Sequence, residues 1–476
     1  MRTRRTLTLS ALPLLLALAL QSTAVAQSTR DGRSTRGSVA HAADSIADAI
    51  IKRGKVAALS IAVVRGRDTL VMKGYGMADV ENEVPATAQT VYRIGSVTKQ
   101  FTSVAIMQLD EQGKLSLDDE VTKYVPNAPT HGRRVLVRQL LNHTSGIPSY
   151  TDVGPEFGRV MRLDLSKDSL IATVKDDSLQ FEPGSHFYYN NTGYFLLGMI
   201  IERVTGKPYG DYLRDALFTP NGLTSTVYCS VMPLIKHRAQ GYEGRPTGLV
   251  NAPYISMDLP YAAGSLCSSV GDLAAWTRLL HSDKLVKASS FTSMTTPAKL
   301  TSGRPMQYGF GLFMDTVGTH RRIHHGGGIN GFISELAYYP DDSLTVVVLS
   351  NTAPAPSDEV AENLARVAFG MPLVPDRPAP PADLPIAADE IARLSGNYKV
   401  TWPDGSKRNA RIYANGEQLM LQIENQPAIR MMKQSAPNTY AVMGQPGRIM
   451  VDVIEGMVAG FVFDRGARPL EAVRAP

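Results

Sequence analysis

Val91-Tyr92-Arg93-Ile94-Gly95-Ser96-Val97-Thr98-Lys99 is the stretch on which the fold assignment turns. Ser96 and Lys99 are three residues apart, so on a helix both side chains lie on one face, one turn from each other. A helix is predicted from Ser96 to Gln112, with Phe101, Val104, Ala105 and Leu109 on its apolar side and Gly113 as its stop. Ser96 thus begins a helix, where free backbone N–H groups favour a developing oxyanion. A lysine one turn away can accept the serine proton only if burial or nearby positive charge lowers its pKa.

Ser96-Val97-Thr98-Lys99 is the only S-x-x-K in the chain, but a chain of this composition yields about one by chance, so context carries the weight. Tyr189-Asn190-Asn191 stands before Gly193-Tyr194 and a helical pattern over Gly193 to Val204. A phenol there can relay a proton, and an amide can orient lysine and substrate. His324-His325-Gly326-Gly327-Gly328-Ile329-Asn330-Gly331 comes last and is followed by β-rich sequence. Its glycines let a substrate backbone approach, and an N–H near Gly328 could complete an oxyanion hole.

In this order the three elements resemble the serine β-lactamase and D,D-peptidase superfamily, particularly the branch of class C β-lactamases, D-stereospecific peptidases and related esterases. The resemblance covers about residues 43 to 370. It extends to Leu140-Leu141-Asn142-His143-Thr144-Ser145-Gly146-Ile147, Pro183-Gly184 and Ala263-Gly264-Ser265-Leu266. The family pattern P-G-x-x-F-x-Y-S-N-x-G-Y selects Tyr189 and Asn191 over Tyr188 and Asn190. By similarity, Ser96 is the nucleophile, Lys99 and Tyr189 share proton transfer, and Asn191 orients them. His325, Gly327 and Gly328 contact the substrate, and no cofactor or metal is required.

Most β-lactamases carry K-T-G where this chain has His325-Gly326-Gly327, and H-x-G looks like the peptidases and esterases of the branch. S-D-N of the class A enzymes is absent too. The resemblance therefore implies an amide- or ester-cleaving serine hydrolase that is D-peptidase-like, D,D-carboxypeptidase-like or an esterase. The alternatives are a class C-like β-lactamase and a non-enzymatic penicillin or peptidoglycan sensor. The expected partner is a small peptide, ester or lactam, with peptidoglycan as a further target. With an unperturbed pKa of about 6.5, His325 is expected to be a part-time cation whose hold on a substrate carboxylate weakens as pH rises.

At 476 residues, two domains are expected, and 43% hydrophobic with 20% charged residues excludes wholesale disorder. Arg2, Arg4 and Arg5, the apolar run Ala11 to Leu20 and Ala24-Val25-Ala26 predict a signal peptide over 1–26, cleaved before Gln27. No stable membrane span is expected after cleavage. Removing three arginines and no acid takes the formal charge from +5 to +2, which argues against nucleic acid as a partner. The mature chain is expected to be periplasmic or secreted. In that compartment Cys229 and Cys267 either pair or remain two buried thiols, and spacing does not decide which.

A flexible leader is expected over 27–42, the hydrolase domain over 43–371, a proline-rich linker over 372–388 and a C-terminal β-barrel over 389–476. The predicted fold class is α/β (α+β): an antiparallel sheet flanked by helices with an all-helical part, in the β-lactamase/transpeptidase manner, followed by a small antiparallel barrel. The barrel resembles the lipocalin-like domain behind many such catalytic domains. Asn415-Gly416 is its clearest hairpin turn. His320 and His324 lack an H-E-x-x-H context, and Ser145 lacks a G-x-S-x-G elbow, so both are read as structural.

Overall fold

The computed structural model describes residues 35–475, apart from 153–156, 246, 304, 375–382, 403–406, 417, 425, 427, 443–447, 455 and 465–469. The predicted signal peptide lies outside the described residues. The chain divides into two compact units, Met1–Leu373 and Val374–Pro476.

The first unit is built on a seven-stranded antiparallel sheet. Its strands are β1 (Ala58–Arg65), β2 (Asp68–Asp79), β3 (Val84–Pro85), β4 (Phe313–Val317), β5 (His320–Ile329), β6 (Phe332–Tyr339) and β7 (Leu344–Ser350), in the order β3-β2-β1-β7-β6-β5-β4. β1 pairs with β7 through Ala62↔Val347, so the two ends of the unit meet in the sheet centre. Both of these strands are apolar at nearly every position because both sheet faces are covered. Leu59, Ile61 and Val63 pack with Val346 and Val348 on one side, whereas Ala58, Ala62 and Val347 belong to the larger core on the other. Each fully buried Val, Ile or Leu contributes about 1.5–3 kcal/mol of transfer free energy.

Helix α1 (35–52) covers the first face with Val39, Ala43 and Ala47, all fully buried. This differs from the expected leader over 27–42: the helix begins eight residues before Ala43, and Val39 anchors that extra turn. Ser and Arg in this segment hid a helix whose buried stripe is made mainly of small residues. The second face carries the all-helical part, including α2 (Thr98–Glu111), α3 (Asn191–Thr205), α4 (Tyr261–Gly264) and α5 (Val270–Leu280). α2 follows a single 3-10 turn at Gly95–Val97 and is buried nearly all round, with Phe101 stacked on Trp276 at 3.9 Å between ring centroids. Asn190 caps α3 by accepting the N–H of Gly193 at 2.7 Å, and Gly206, at φ 69°, ends the helix.

In the second unit eight antiparallel strands from Gly396–Thr401 to Leu470–Arg474 follow one another in sequence order and close into a barrel. Tyr398, Ile412, Leu421, Tyr440, Ile449 and Phe461 fill its interior. Gly416, at φ 60°, stands in the turn between Lys407–Asn415 and Gln418–Ile423, one residue later than expected, because Asn415 still pairs with Gln418 in the ladder. Closure removes the exposed strand edges that a short sheet would otherwise present.

Cys229 and Cys267 form a disulfide with Cα atoms 5.2 Å apart, deciding between the two alternatives left by the sequence. Cys267 lies on Leu266–Ser268, which pairs with Tyr92–Arg93 just before the nucleophile and with Val227–Tyr228. Closing a separation of 38 residues constrains the unfolded chain by about 3–4 kcal/mol on the loop-entropy model. Replacing both cysteines by serine is expected to destabilise the first unit by up to about that amount. Equilibrium denaturation should show its midpoint falling while the barrel transition stays in place.

Candidate active site

Ser96 lies in the 3-10 turn between the Tyr92–Arg93 strand and α2. The turn is pinned from two sides: Ile94 donates its N–H to the Leu266 carbonyl at 3.0 Å and accepts the Ser334 hydroxyl at 2.8 Å. Gly95 adopts φ 49°, and a Cβ there would stand 2.9 Å from the Gly328 nitrogen. At Gly327 a Cβ would come 2.1 Å from the Ile94 carbonyl oxygen and 3.0 Å from the Ser96 nitrogen. Glycine at these two positions therefore lets β5 run directly against the serine turn.

The same strand supplies a second N–H. β5 and β6 are joined by Asn330-Gly331, with Ile329↔Phe332, Gly328↔Ile333 and Gly327↔Ser334 in register. The closing pair of a two-residue hairpin is hydrogen-bonded, so alternation turns the N–H of Gly326 and Gly328 away from β6. β4 occupies that edge only as far as His324↔Phe313. Beyond it the edge of β5 is left to face the Ser96 turn, and the Gly328 N–H joins that of Ser96 as a pair of donors suited to an oxyanion.

Lys99 is fully buried in the first turns of α2. Its Nζ lies 3.0 Å from Ser96 Oγ, 2.9 Å from Asn191 Oδ1 and 2.9 Å from the Ala263 carbonyl oxygen of α4. No carboxylate pairs with it among the described residues, and desolvation holds its pKa well below the ordinary lysine value. The two carbonyl oxygens can only accept. A neutral Lys99 therefore spends its two N–H bonds on them and turns its lone pair to the Ser96 hydroxyl.

Tyr189 and Asn191 both arrive at this centre. The Lys99 ammonium position is 4.8 Å from the Tyr189 ring centroid. The Tyr189 hydroxyl is buried with no hydrogen-bond partner within normal geometry, yet Ser96 is close enough to oppose partly the upward pKa shift caused by burial. Tyr189 is thus a protonated phenol at neutral pH with its hydroxyl uncommitted. Asn191 donates from Nδ2 to Thr151 Oγ1 at 3.3 Å, and its backbone N–H donates to Ser149 Oγ at 3.2 Å. Tyr188 and Asn190, the other register of the motif, point elsewhere: Tyr188 donates to Asp152 at 2.6 Å, and Asn190 serves as the helix cap.

His325 departs from the sequence expectation. It is 2% exposed, and burial together with the nearby Lys99 lowers its pKa to about 3. The Gly326 carbonyl can only accept, so Nδ1 carries the proton in the 2.6 Å contact, and Nε2 accepts the Tyr308 hydroxyl at 3.0 Å. His325 is therefore a neutral imidazole throughout the working pH range, not a part-time cation. The expectation failed because sequence position says nothing of desolvation.

Three supports escaped assignment to the site in the sequence. His143 is buried, accepts the Asn190 N–H at Nδ1 at 3.0 Å and lies 4.4 Å from the Tyr189 ring. The Ala263 carbonyl and the Ser149–Thr151 hydroxyls hold Lys99 and Asn191. His143 and Ala263 fell in stretches recognised as family-like, and that was their only signal. His320 and His324 bond to Asp342 and Glu335 at 2.8 Å each. No group of three His, Cys, Asp or Glu capable of holding a metal occurs among the described residues.

The chain resembles several known proteins along most of its length. It is 29% identical over 396 residues to penicillin-binding protein 4* of Bacillus subtilis, covering 79% of this chain and 86% of that protein. An octameric penicillin-binding protein homologue from Pyrococcus abyssi superposes with a TM-score of 0.63 at 27% identity, covering 90% of this chain and 99% of that one. D-amino acid amidase from Ochrobactrum anthropi gives 0.62 at 26% identity, covering 70% and 99%. Residues 43–370 match the family described as Beta-lactamase, and the chain belongs to that family as a serine hydrolase of the β-lactamase and D,D-peptidase superfamily.

Proposed function

We propose that this chain is an exported hydrolase that cleaves amide or ester bonds of small D-configured amino-acid derivatives or peptides through an acyl-Ser96 intermediate. One observation carries the reading: a desolvated Lys99 whose two N–H bonds go to carbonyl oxygens and whose third direction faces Ser96 Oγ. Lys99 takes the Ser96 proton as Oγ attacks the carbonyl carbon. The N–H groups of Ser96 and Gly328 hold the tetrahedral oxyanion, and the Tyr189 phenol donates a proton to the departing amine or alkoxide, recovering one from Lys99. Water then releases the acyl group from Ser96. The D-configured substrate class draws support from the D-amino acid amidase of Ochrobactrum anthropi named above.

A disulfide in the first unit suits an oxidising compartment outside the cytosol. No helix among the described residues is long and apolar enough to cross a membrane. N-terminal sequencing of the mature protein is expected to begin at Gln27, and a mature chain starting at Met1 would remove export by cleavage from the proposal.

Hydrolysis of D-amino-acid amides, D-Ala-D-Ala peptides, p-nitrophenyl esters and a chromogenic cephalosporin should be compared on one preparation, with acylation and turnover measured separately. Ser96→Ala is expected to abolish covalent labelling by fluorophosphonate. Lys99→Ala and Tyr189→Phe should each lower kcat/KM by about 10²–10⁴-fold, and the double variant by far less than the product, because both act on one proton. Persistent labelling of Ser96→Ala, or greater damage from Tyr188→Phe than from Tyr189→Phe, would remove the assignment.

The reactive form is neutral Lys99, so kcat/KM is expected to fall as pH drops through its lowered pKa and to hold steady above it. His325 adds no charge in that window, because its pKa lies near 3. KM values for substrates with and without a free carboxylate are therefore expected to run parallel from pH 5 to pH 8. A selective rise for the carboxylates that His325→Lys flattens would show an ionising His325.

A further inference from the structure

A half-open cavity of about 700 Å³ lies in the first unit, and none of Ser96, Lys99, Tyr189, Asn191 or His325 lines it. That volume falls in the range of small-molecule sites. Its walls are mainly carbon, and three tyrosine rings meet there: Tyr209 and Tyr261 at 5.1 Å between centroids, Tyr209 and Tyr228 at 6.1 Å, Tyr228 and Tyr261 at 6.4 Å. The chain itself shows what this wall can hold. Lys167 Nζ lies 4.7 Å from the centroid of the Tyr261 ring while bonding Glu202 at 2.5 Å, a cation on an aromatic face beside a carboxylate.

The charges around the cavity are not balanced. Lys167 pairs with Glu202, and Arg214 pairs with Asp211 at 2.5 Å. Asp258 also lines the cavity, is exposed and has no ion-pair partner among the described residues. It stands next to Tyr228, whose phenol pKa is raised first by burial and then by this carboxylate. The Tyr261 hydroxyl is buried and lacks a hydrogen-bond partner, although Glu202 neighbours it.

We infer that this cavity is a second ligand site, separate from the catalytic serine, which takes an organic amine: an ammonium group set against Asp258 and the tyrosine faces, with an aromatic or aliphatic body against the carbon walls. An anion is disfavoured by the unpaired carboxylate, and a wholly apolar ligand would leave Asp258 unanswered. The site also has a mechanical link to catalysis. Tyr261, at φ 40°, opens α4, whose Ala263 carbonyl accepts from Lys99 and whose Ala262 carbonyl accepts from Thr102 at 2.7 Å. A ligand that shifts the Tyr261 ring acts on the turn that holds the lysine.

Phenethylamine titrated calorimetrically into the full chain carrying Ser96→Ala tests the inference without any turnover. The expected result is one saturable site. Asp258→Asn, a change at an exposed position, should weaken binding about tenfold or more, and phenethyl alcohol should bind worse than the amine by a similar factor. Ser230→Trp, which fills the cavity, should abolish the signal. An affinity indifferent to Asp258→Asn and Ser230→Trp, or equal affinity for the alcohol, overturns the inference. So does an affinity that follows Asp152→Asn instead, since Asp152 accepts from Thr151, whose hydroxyl accepts from Asn191 of the candidate active site.

Discussion

A lysine without a counter-charge is the constraint on which the catalytic half of this molecule depends. Lys99 is fully buried on α2, and what surrounds it is two carbonyl oxygens, two aromatic rings and the serine it serves. A carboxylate in that shell would hold the ammonium charged and remove the base. Its absence among the described residues makes neutrality the low-energy state. The burial is accordingly thorough: Lys99 is fully enclosed, on a helix that is buried nearly all round.

The remaining elements can be understood as supports for that arrangement. α3 brings Asn191, with Asn190 committed to capping and Asn191 to Lys99. α4 brings the Ala263 carbonyl. β5 brings the Gly328 N–H, and it can do so because Gly95 and Gly327 let two backbones pass at a distance no side chain would allow. The Cys229–Cys267 disulfide ties down the strand beside the serine turn. Each support reaches the centre from a different stretch of sequence, over separations of up to 240 residues in the hydrogen bonds that join them.

His325 illustrates how a substitution of residue type changes chemistry through its setting. A lysine at this strand position would bring a full charge to the substrate edge. The imidazole here is locked between the Gly326 carbonyl and Tyr308, and desolvation keeps it neutral. The edge of β5 beyond His324↔Phe313 thus presents backbone groups and no side-chain charge from His325. Tyr308, a residue without any motif around it, is what orients that histidine.

Much of the fold was legible in the sequence because its signals are local. The helix after Ser96, the strand-rich C-terminal part and the spacing of Ser96 and Lys99 all follow from periodicity, turn chemistry and helix geometry. The match of motif order to a known superfamily then selected Tyr189 and Asn191, the register in which the structure turns Asn191 toward Lys99. Three things needed the tertiary structure: that Cys229 and Cys267 meet, that residues 35–42 extend α1, and that His325 is neutral. Each depends on which atoms from distant segments exclude water or come within bonding distance, and no local pattern encodes that. The tyrosine-walled cavity belongs with them, since Lys167, Glu202, Tyr228, Asp258 and Tyr261 become one surface only after the helices have packed.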